Sequence, residues 1–317
     1  NAGGSPWGSG ALASFFGRIN YNLKETYMAS VTMRADGSSN FARGKRWGYF
    51  PSASAGWVMS NESFLESTKS WMDFLKIRGS WGQNGNAAID NFQYLSTIAF
   101  DTSNGYYFSS DKLTQTVGGY ADILANPDVK WETSEQLDLG FDARFLKSRL
   151  GLVFDWYKKT TKDWLVTAPI PAVWGLNAPS VNGGDVENKG FEVAVNWNDK
   201  VGEFQYGVSV NLAHNVNKAT RIANTEKIIH GPANVLSQGT TEMYRAQVGR
   251  PLGYFYGYKT AGVFQNWEQV NSTKAKYAGA QPGDLIFVDT TGDGKITEDD
   301  RTDRKSTRLN SSHDQIS

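Results

Sequence analysis

Residues 15–34 read Phe15-Phe16-Gly17-Arg18-Ile19-Asn20-Tyr21-Asn22-Leu23-Lys24-Glu25-Thr26-Tyr27-Met28-Ala29-Ser30-Val31-Thr32-Met33-Arg34. Phe15, Gly17, Ile19, Tyr21 and Leu23 occupy odd positions, and Phe16, Arg18, Asn20 and Asn22 occupy even ones. Across the short break at Lys24-Glu25-Thr26 the odd row resumes as Tyr27, Ala29, Val31 and Met33, against Met28, Ser30, Thr32 and Arg34. Successive side chains of a strand point to opposite faces, so a period of two predicts β-structure. Two such runs around a short polar break predict an antiparallel hairpin with one apolar and one polar face.

The same reading extends outward. Pro51, Ala53, Ala55 and Trp57 alternate with Ser52, Ser54 and Gly56. Leu75, Ile77, Gly79 and Trp81 alternate with Lys76, Arg78 and Ser80. Leu137, Leu139, Phe141 and Ala143 alternate with Gln136, Asp138, Asp142 and Arg144. Rows of the same kind run through Leu150–Trp156, Phe191–Trp197 and Phe204–Leu212, and a weaker ninth lies near Leu252–Val263. Each is about the 9–11 residues that a tilted strand needs to cross a bilayer, and no apolar run approaches the ~18 residues of a spanning helix. The fold class is all-β and antiparallel.

Alternation alone leaves two architectures open. A soluble sheet turns its apolar row to a core, whereas a membrane barrel turns it to lipid and its polar row to the lumen. The links favour the barrel. Short turns at Lys24-Glu25, Lys147-Ser148 and Asn198–Gly202, with a moderate link at Ser60–Ser70, alternate with long stretches at 35–49, 84–130, 158–186 and 217–243. Short inner turns alternating with long outer loops are the habit of outer-membrane barrels. Tyr21, Tyr27, Trp57, Trp81, Trp156 and Trp197 near run ends fit interfacial girdles, and equally fit ordinary strand preference.

Composition narrows the function. Lys plus Arg and Asp plus Glu are 32 each, so no basic excess is present to meet phosphates, which argues against a nucleic-acid partner. There is no cysteine, which rules out disulfides, thiolate metal sites and cysteine nucleophiles within the chain. The three histidines, His214, His230 and His313, show no metal-ligand or triad spacing. Nothing nominates a catalytic pair of acids. The chain is therefore read as a non-enzyme with no required cofactor.

An ordered series of segments resembles the SusC/RagA-like family of TonB-dependent outer-membrane proteins. It runs through Phe16-Gly17-Arg18-Ile19-Asn20-Tyr21, Arg34-Ala35-Asp36-Gly37-Ser38-Ser39-Asn40-Phe41 and Trp47-Gly48-Tyr49-Phe50-Pro51-Ser52. It continues through Leu75–Gly82, Lys130-Trp131-Glu132, Asp155-Trp156-Tyr157, Asn188-Lys189-Gly190-Phe191-Glu192, Val248–Leu252 and Pro282-Gly283-Asp284. The resemblance implies an incomplete transmembrane barrel, an interior stretch of about eight to ten strands from a plugged barrel of about 22. It also implies a place in the bacterial outer membrane, import of oligosaccharides or peptides, a SusD-like surface lipoprotein as partner, and energy from TonB through a region outside this chain. The alternative in another class is a secreted or surface β-rich glycan-binding or adhesion module. Residues 1–303 are read as barrel with outer loops. Residues 304–317 have no strand period and are read as a non-native or disordered tail resembling translated adapter sequence.

Three groups of site residues follow. Counting Asp289 as position 1, the stretch Asp289–Asp300 places oxygens at Asp289, Thr291 and Asp293, a carbonyl at Lys295 and a carboxylate at Asp300, with Gly294 at the sharp turn. That is the layout of a Ca²⁺ loop, departing from it at Thr291 and Asp300, and it equally describes a Gly-Asp-Gly turn with solvated acids. Tyr106, Tyr107, Phe108 and Trp174 in the long links are substrate-contact candidates, since sugars stack on flat apolar faces. Asp138, Asp142 and Arg144 belong to the row expected to line the lumen. Arg34–Ser39 is read as a structured loop in which Asp36-Gly37 makes a tight turn.

Overall fold

The computed structural model describes residues 10–106, 116–168, 170, 172–232 and 241–304. The chain forms two compact units, Asn1–Ala223 and Asn224–Ser317.

The first unit contains β1 (Leu12–Leu23), β2 (Tyr27–Ser38), β3 (Trp47–Val58), β4 (Met72–Asn86), β5 (Ile98–Tyr106), β6 (Thr116–Ala121), β7 (Glu132–Phe145), β8 (Leu150–Thr167), β9 (Ser180–Val201) and β10 (Phe204–Ile222). Eight of these form one open antiparallel sheet in the order β1-β2-β3-β4-β7-β8-β9-β10. β5 and β6 pair only with each other, as a hairpin inside the β4–β7 link.

The register keeps the two rows apart across the whole sheet. Ile19 pairs with Val31, Val31 with Ala53, Ala53 with Trp81 and Trp81 with Leu137. One residue along, Asn20, Ser30, Ser54, Ser80, Asp138 and Tyr157 make the matching polar line. A slip of one residue at any strand would throw its apolar set onto the polar face. Pro51, which has no N–H to give a ladder, lies just before Ser52, where pairing with β4 begins.

The apolar row is open. Phe15 is 68%, Ile19 76%, Val31 55%, Leu139 50% and Val210 58% exposed. A soluble sandwich would bury these residues between two sheets. Towards the long-link end the same row turns charged above Trp81 and Trp156, with ion pairs Lys162–Glu135 at 2.5 Å and Lys158–Glu187 at 3.0 Å. At the short-turn end Tyr27 and Trp57 stack at 6.2 Å, and both donate to Glu62 Oε1.

The strands run further than alternation reveals. β2 reaches Ser38 and β3 starts at Trp47, inside the expected 35–49 link, so Asp36-Gly37 is strand and not a tight turn. β8 continues to Thr167 and β9 starts at Ser180, shrinking the expected 158–186 link. β9 also runs to Val201, so its turn to β10 is Gly202-Glu203. These extensions do not keep the apolar-polar alternation, and their pairing carries them where no regular contrast marks them.

The second unit holds β11 (Ile228–His230), β12 (Tyr244–Gln247), β13 (Tyr254–Tyr258), β14 (Thr260–Val263), α1 (Trp267–Ser272), β15 (Leu285–Phe287) and β16 (Arg301–Asp303). It has two small sheets, β11-β12-β13-β16 and β14-β15; Tyr254 of β13 is buried, and Phe264, Val270 and Ala280 form a buried cluster with Tyr277 and Ile286 packed on it. The run Leu252–Val263 is not a spanning strand. It divides into β13 and β14, which join different sheets, and the β14 register breaks at Gly262, with φ +133. Strands of 3 to 5 residues are too short to cross a bilayer. Arg304, the first residue of the expected tail, still donates its N–H to the Phe255 carbonyl at 2.7 Å. Residues 305–317 lie outside the described residues.

Candidate functional site: the polar face and the loops beyond it

The polar face is divided in its chemistry. Over β4, β7 and β8 several of its polar side chains engage one another. Arg78 on β4 meets Asp155 on β8 at 2.6 Å and Asp142 on β7 at 3.3 Å. Gln136 Nε2 donates to both Asp138 oxygens at 3.0 and 3.1 Å, and Ser80 donates to Asp138 at 3.4 Å. Arg144 lies 5.2 Å from the centre of the Phe74 ring. The expected row Asp138, Asp142 and Arg144 is therefore on the polar face, each residue with a partner.

At the long-link end the loops fold into a layer of their own. Phe41, Phe50, Val129 and Trp131 form a buried cluster, with Ala87, Ile89 and Leu165 packed on it. The Trp131 ring is 5.3 Å from Phe41 and 5.5 Å from Phe50, and its Nε1 donates to the Arg46 carbonyl at 2.8 Å. Four sequence segments far apart in the chain, around residues 41–50, 87–89, 129–131 and 165, thus meet at one core. Amide side chains bind the backbone around it, as a buried loop must satisfy its own polar groups. Asn40 Nδ2 donates to the Ala87 and Ile89 carbonyls, each at 3.1 Å. Asn182 pairs reciprocally with Lys130, accepting from its N–H at 3.0 Å and donating to its carbonyl at 2.9 Å. Buried Gln93 accepts from the Ser180 N–H at 2.7 Å. None of these amides stands out in sequence, because each acts on backbone remote from it along the chain.

Arg34–Ser39 does form ordered structure: Arg34 Nε donates to Asp36 at 2.6 Å, and Ser39 Oγ accepts from the Ala11 N–H at 2.8 Å. Trp174 ends a short 3₁₀ turn, Ala172–Trp174, and is exposed, as a surface contact requires. Tyr106 ends β5. Tyr107 and Phe108 lie outside the described residues. Trp174 belongs to the first unit and the Asp289 loop to the second.

In that loop Asp289, Asp293 and Asp300 converge, with one oxygen from each within 4.8 Å of the others. Asp300 is fully buried. Its Oδ1 accepts from the Thr290 and Thr291 N–H groups at 2.8 and 3.0 Å, and its Oδ2 from the Thr297 N–H at 2.9 Å. These donors, Thr297 first, lower its pKa to about 2. Asp289 accepts from Gly292 and Gly294 N–H at 2.6 and 2.8 Å, and both glycines take positive φ, +77 and +82. Thr291 Oγ1 points to the Asp289 and Asp300 carboxylates at 3.2 and 3.0 Å. The buried acid at position 12 therefore spends its oxygens on the loop's own backbone.

An antiparallel meander with an open apolar row, a polar reverse face and alternating short and long links is the wall of a membrane-type β-barrel. The chain belongs to the family described as TonB dependent receptor-like, beta-barrel, which it matches over residues 3–314. It is 34% identical to TonB-dependent receptor P3 of Formosa agariphila, over 92% of this chain and 28% of that protein. It is 31% identical to TonB-dependent receptor SusC of Bacteroides thetaiotaomicron, again over 92% of this chain and 28% of that protein. Its fold is shared with the RagAB peptide importer in the closed-closed state, with a TM-score of 0.73 and 22% identity over 92% of this chain and 30% of the other. The SusC/RagA-like resemblance holds, and the named relatives are receptors and transporters, not enzymes. The chain spans under a third of these relatives.

Proposed function

We propose that this chain is part of the barrel of an outer-membrane, TonB-dependent importer of oligosaccharides or peptides that works with a SusD-like surface lipoprotein. The observation that carries the reading is the apolar row left open across eight antiparallel strands and backed by a polar row. Lipid satisfies such a row, and a polar lumen suits hydrophilic cargo. The edges of β1 and β10 need further strands to close the wall. A surface adhesion module is disfavoured, because its apolar rows would meet in a dry core. Trp174 is proposed as a cargo contact on the strength of its exposure. For the Asp289–Asp300 loop, Ca²⁺ is proposed to take oxygens from Asp289, Thr291, Asp293 and the Lys295 carbonyl, while Asp300 holds the loop.

The test is deletion of the full-length gene in its host, complemented with a tagged copy. The reading expects the product in the outer-membrane fraction. It also expects TonB-dependent loss of growth on one oligosaccharide or peptide source, and co-purification of a lipoprotein. A product found in the culture medium or soluble periplasm would overturn it.

A further inference from the structure

Towards the long-link end the apolar row gives way to charge within one cross-strand line. That line runs Trp81, Leu137, Lys158, Lys189 and Val216, from β4 through β7, β8 and β9 to β10. The line before it still carries Leu139, Trp156 and Phe191, and the line after it carries Glu135, Thr160 and Glu187. Trp81 Nε1 donates to Glu135 Oε1 at 3.0 Å, so its indole spans the change from apolar to polar. An aromatic ring with one dry and one wet end marks the level at which headgroups meet hydrocarbon.

At that level Lys158 and Lys189 stand directly opposite each other, and both are exposed. Like charges so placed on neighbouring strands repel. Glu187 offsets one of them, bonding Lys158 at 3.0 Å, and it also has Lys218 opposite it on β10. Lys189 has no carboxylate within ion-pair distance among the described residues. Neither lysine is at a sheet edge, since β7 and β9 flank β8, and β8 and β10 flank β9. In a barrel wall the apolar row faces outward, so whatever fills the lumen stands on the opposite side of the sheet. What meets these two ammonium groups is therefore what surrounds the barrel. An anion held between them removes their repulsion. Their flexible stems let both reach headgroup level, where the anion on offer is phosphate, and lysine binds phosphate as a point charge.

Resting on the importer reading above, we infer that Lys158 and Lys189 hold the phosphate of a phosphorylated lipid headgroup in the outer leaflet. The site prefers a phosphomonoester to a phosphate neutralised by its own choline.

The test places the full-length receptor in nanodiscs holding dioleoyl phosphatidic acid and phosphatidylcholine in equal amounts. Native mass spectrometry then counts the lipids that stay bound on release. The inference expects Lys158→Gln with Lys189→Gln to lower the ratio of retained phosphatidic acid to phosphatidylcholine about ten-fold, the order of effect that two lysines have on an anionic headgroup. Lys158→Arg with Lys189→Arg keeps both charges and should keep the ratio. Lys24→Gln with Lys147→Gln removes two exposed lysines at the short-turn end and should leave it unchanged. An unchanged ratio in the first variant, or an equal loss in the last, would overturn the inference. So would release of the phosphatidic acid by an equal concentration of inorganic phosphate, which would make the ligand a free ion and not a lipid. Failure of the importer reading shows separately, as absence of the unmodified receptor from the outer-membrane fraction.

Discussion

Arg78 on β4 binds Asp155 on β8 through both terminal nitrogens, Nη1 to Oδ1 at 2.6 Å and Nη2 to Oδ2 at 2.7 Å, although β7 runs between the two strands. The pair closes over Gly140, the β7 residue opposite both. A Cβ at Gly140 would stand 2.5 Å from Asp155 Oδ1 and 2.6 Å from the Phe154 carbonyl oxygen. The glycine is there for close approach, and the forked pair is the fastening it permits.

Gly140→Ala should accordingly weaken the barrel by about 1–3 kcal/mol, the usual range for an overpacked site. The check is the temperature at which the full-length receptor loses its folded mobility on a denaturing gel. Arg78→Lys keeps the charge but loses the fork, so it should lower that temperature less. An unchanged temperature for Gly140→Ala would show that the pair does not hold the wall.

The cluster at the long-link end gives a second expectation. Trp131→Ala empties the contacts with Phe41 and Phe50 and frees the Arg46 carbonyl, a loss of about 3–5 kcal/mol for a buried tryptophan. Gly85→Ala drives a Cβ into the Phe50 ring and should act on the same cluster. Proteinase K added to intact cells should then cut near residues 39–46 and 87–95 in both variants. Trp174→Ala, at an exposed position, should leave the cleavage pattern alone. Equal resistance of all three would mean that the loops are fixed by something other than this cluster.

How much of this was legible in sequence follows from contrast. Phe15 to Arg34 could be read because apolar and polar rows differ everywhere except at Phe16 and Met28, and the pairing of Ile19 with Val31 and of Asn20 with Ser30 agrees with it. Lys158, Lys162 and Glu187 could not, because both rows of a strand are polar once it leaves the hydrocarbon. The run Leu252–Val263 misled for the opposite reason. Of its aromatics Tyr254 is buried within a small unit and Phe255 is exposed, and together they only imitate a lipid-facing row. In the Asp289–Asp300 loop the spacing singled out Asp289, Asp293 and Asp300, which the fold brings close together. It did not reveal that Asp300 faces backbone N–H groups, which depends on the local fold of residues 290–297.

That loop should respond to acid. Asp300 is held at about 2, below its ordinary 3.8, by the Thr297, Thr291 and Thr290 donors. A depressed carboxylate pKa contributes stability that is fully present above the ordinary value and is lost as pH falls through the folded one. Hydrogen exchange at the Thr290, Thr291 and Thr297 amides should thus stay slow, after correction for intrinsic rates, down to about pH 4, and speed up between there and pH 2. Asp300→Asn should open these amides at neutral pH. In the same protein Ca²⁺ should slow exchange at Gly292 and Gly294 only while Asp289 and Asp293 are intact, and no effect of Ca²⁺ would remove the cation from the loop.

The two faces of β2 make the sharpest contrast. Val31 and Ser30 are neighbours in sequence, pairing with Ile19 and Asn20 on β1 and with Ala53 and Ser54 on β3. Against lipid, a lysine near mid-bilayer costs about 2–4 kcal/mol, while a lumen lysine is solvated. Val31→Lys should therefore lower the yield of folded receptor in the outer membrane, and Ser30→Lys should not. Both substitutions add the same charge and length to the same strand, so strand propensity cancels between them. The ratio of heat-modifiable, membrane-resident receptor in the two variants is the measurement. Equal loss would mean that both faces are buried in protein, and equal tolerance would mean that both are wet. Either result would remove the lipid-facing row on which the importer reading depends.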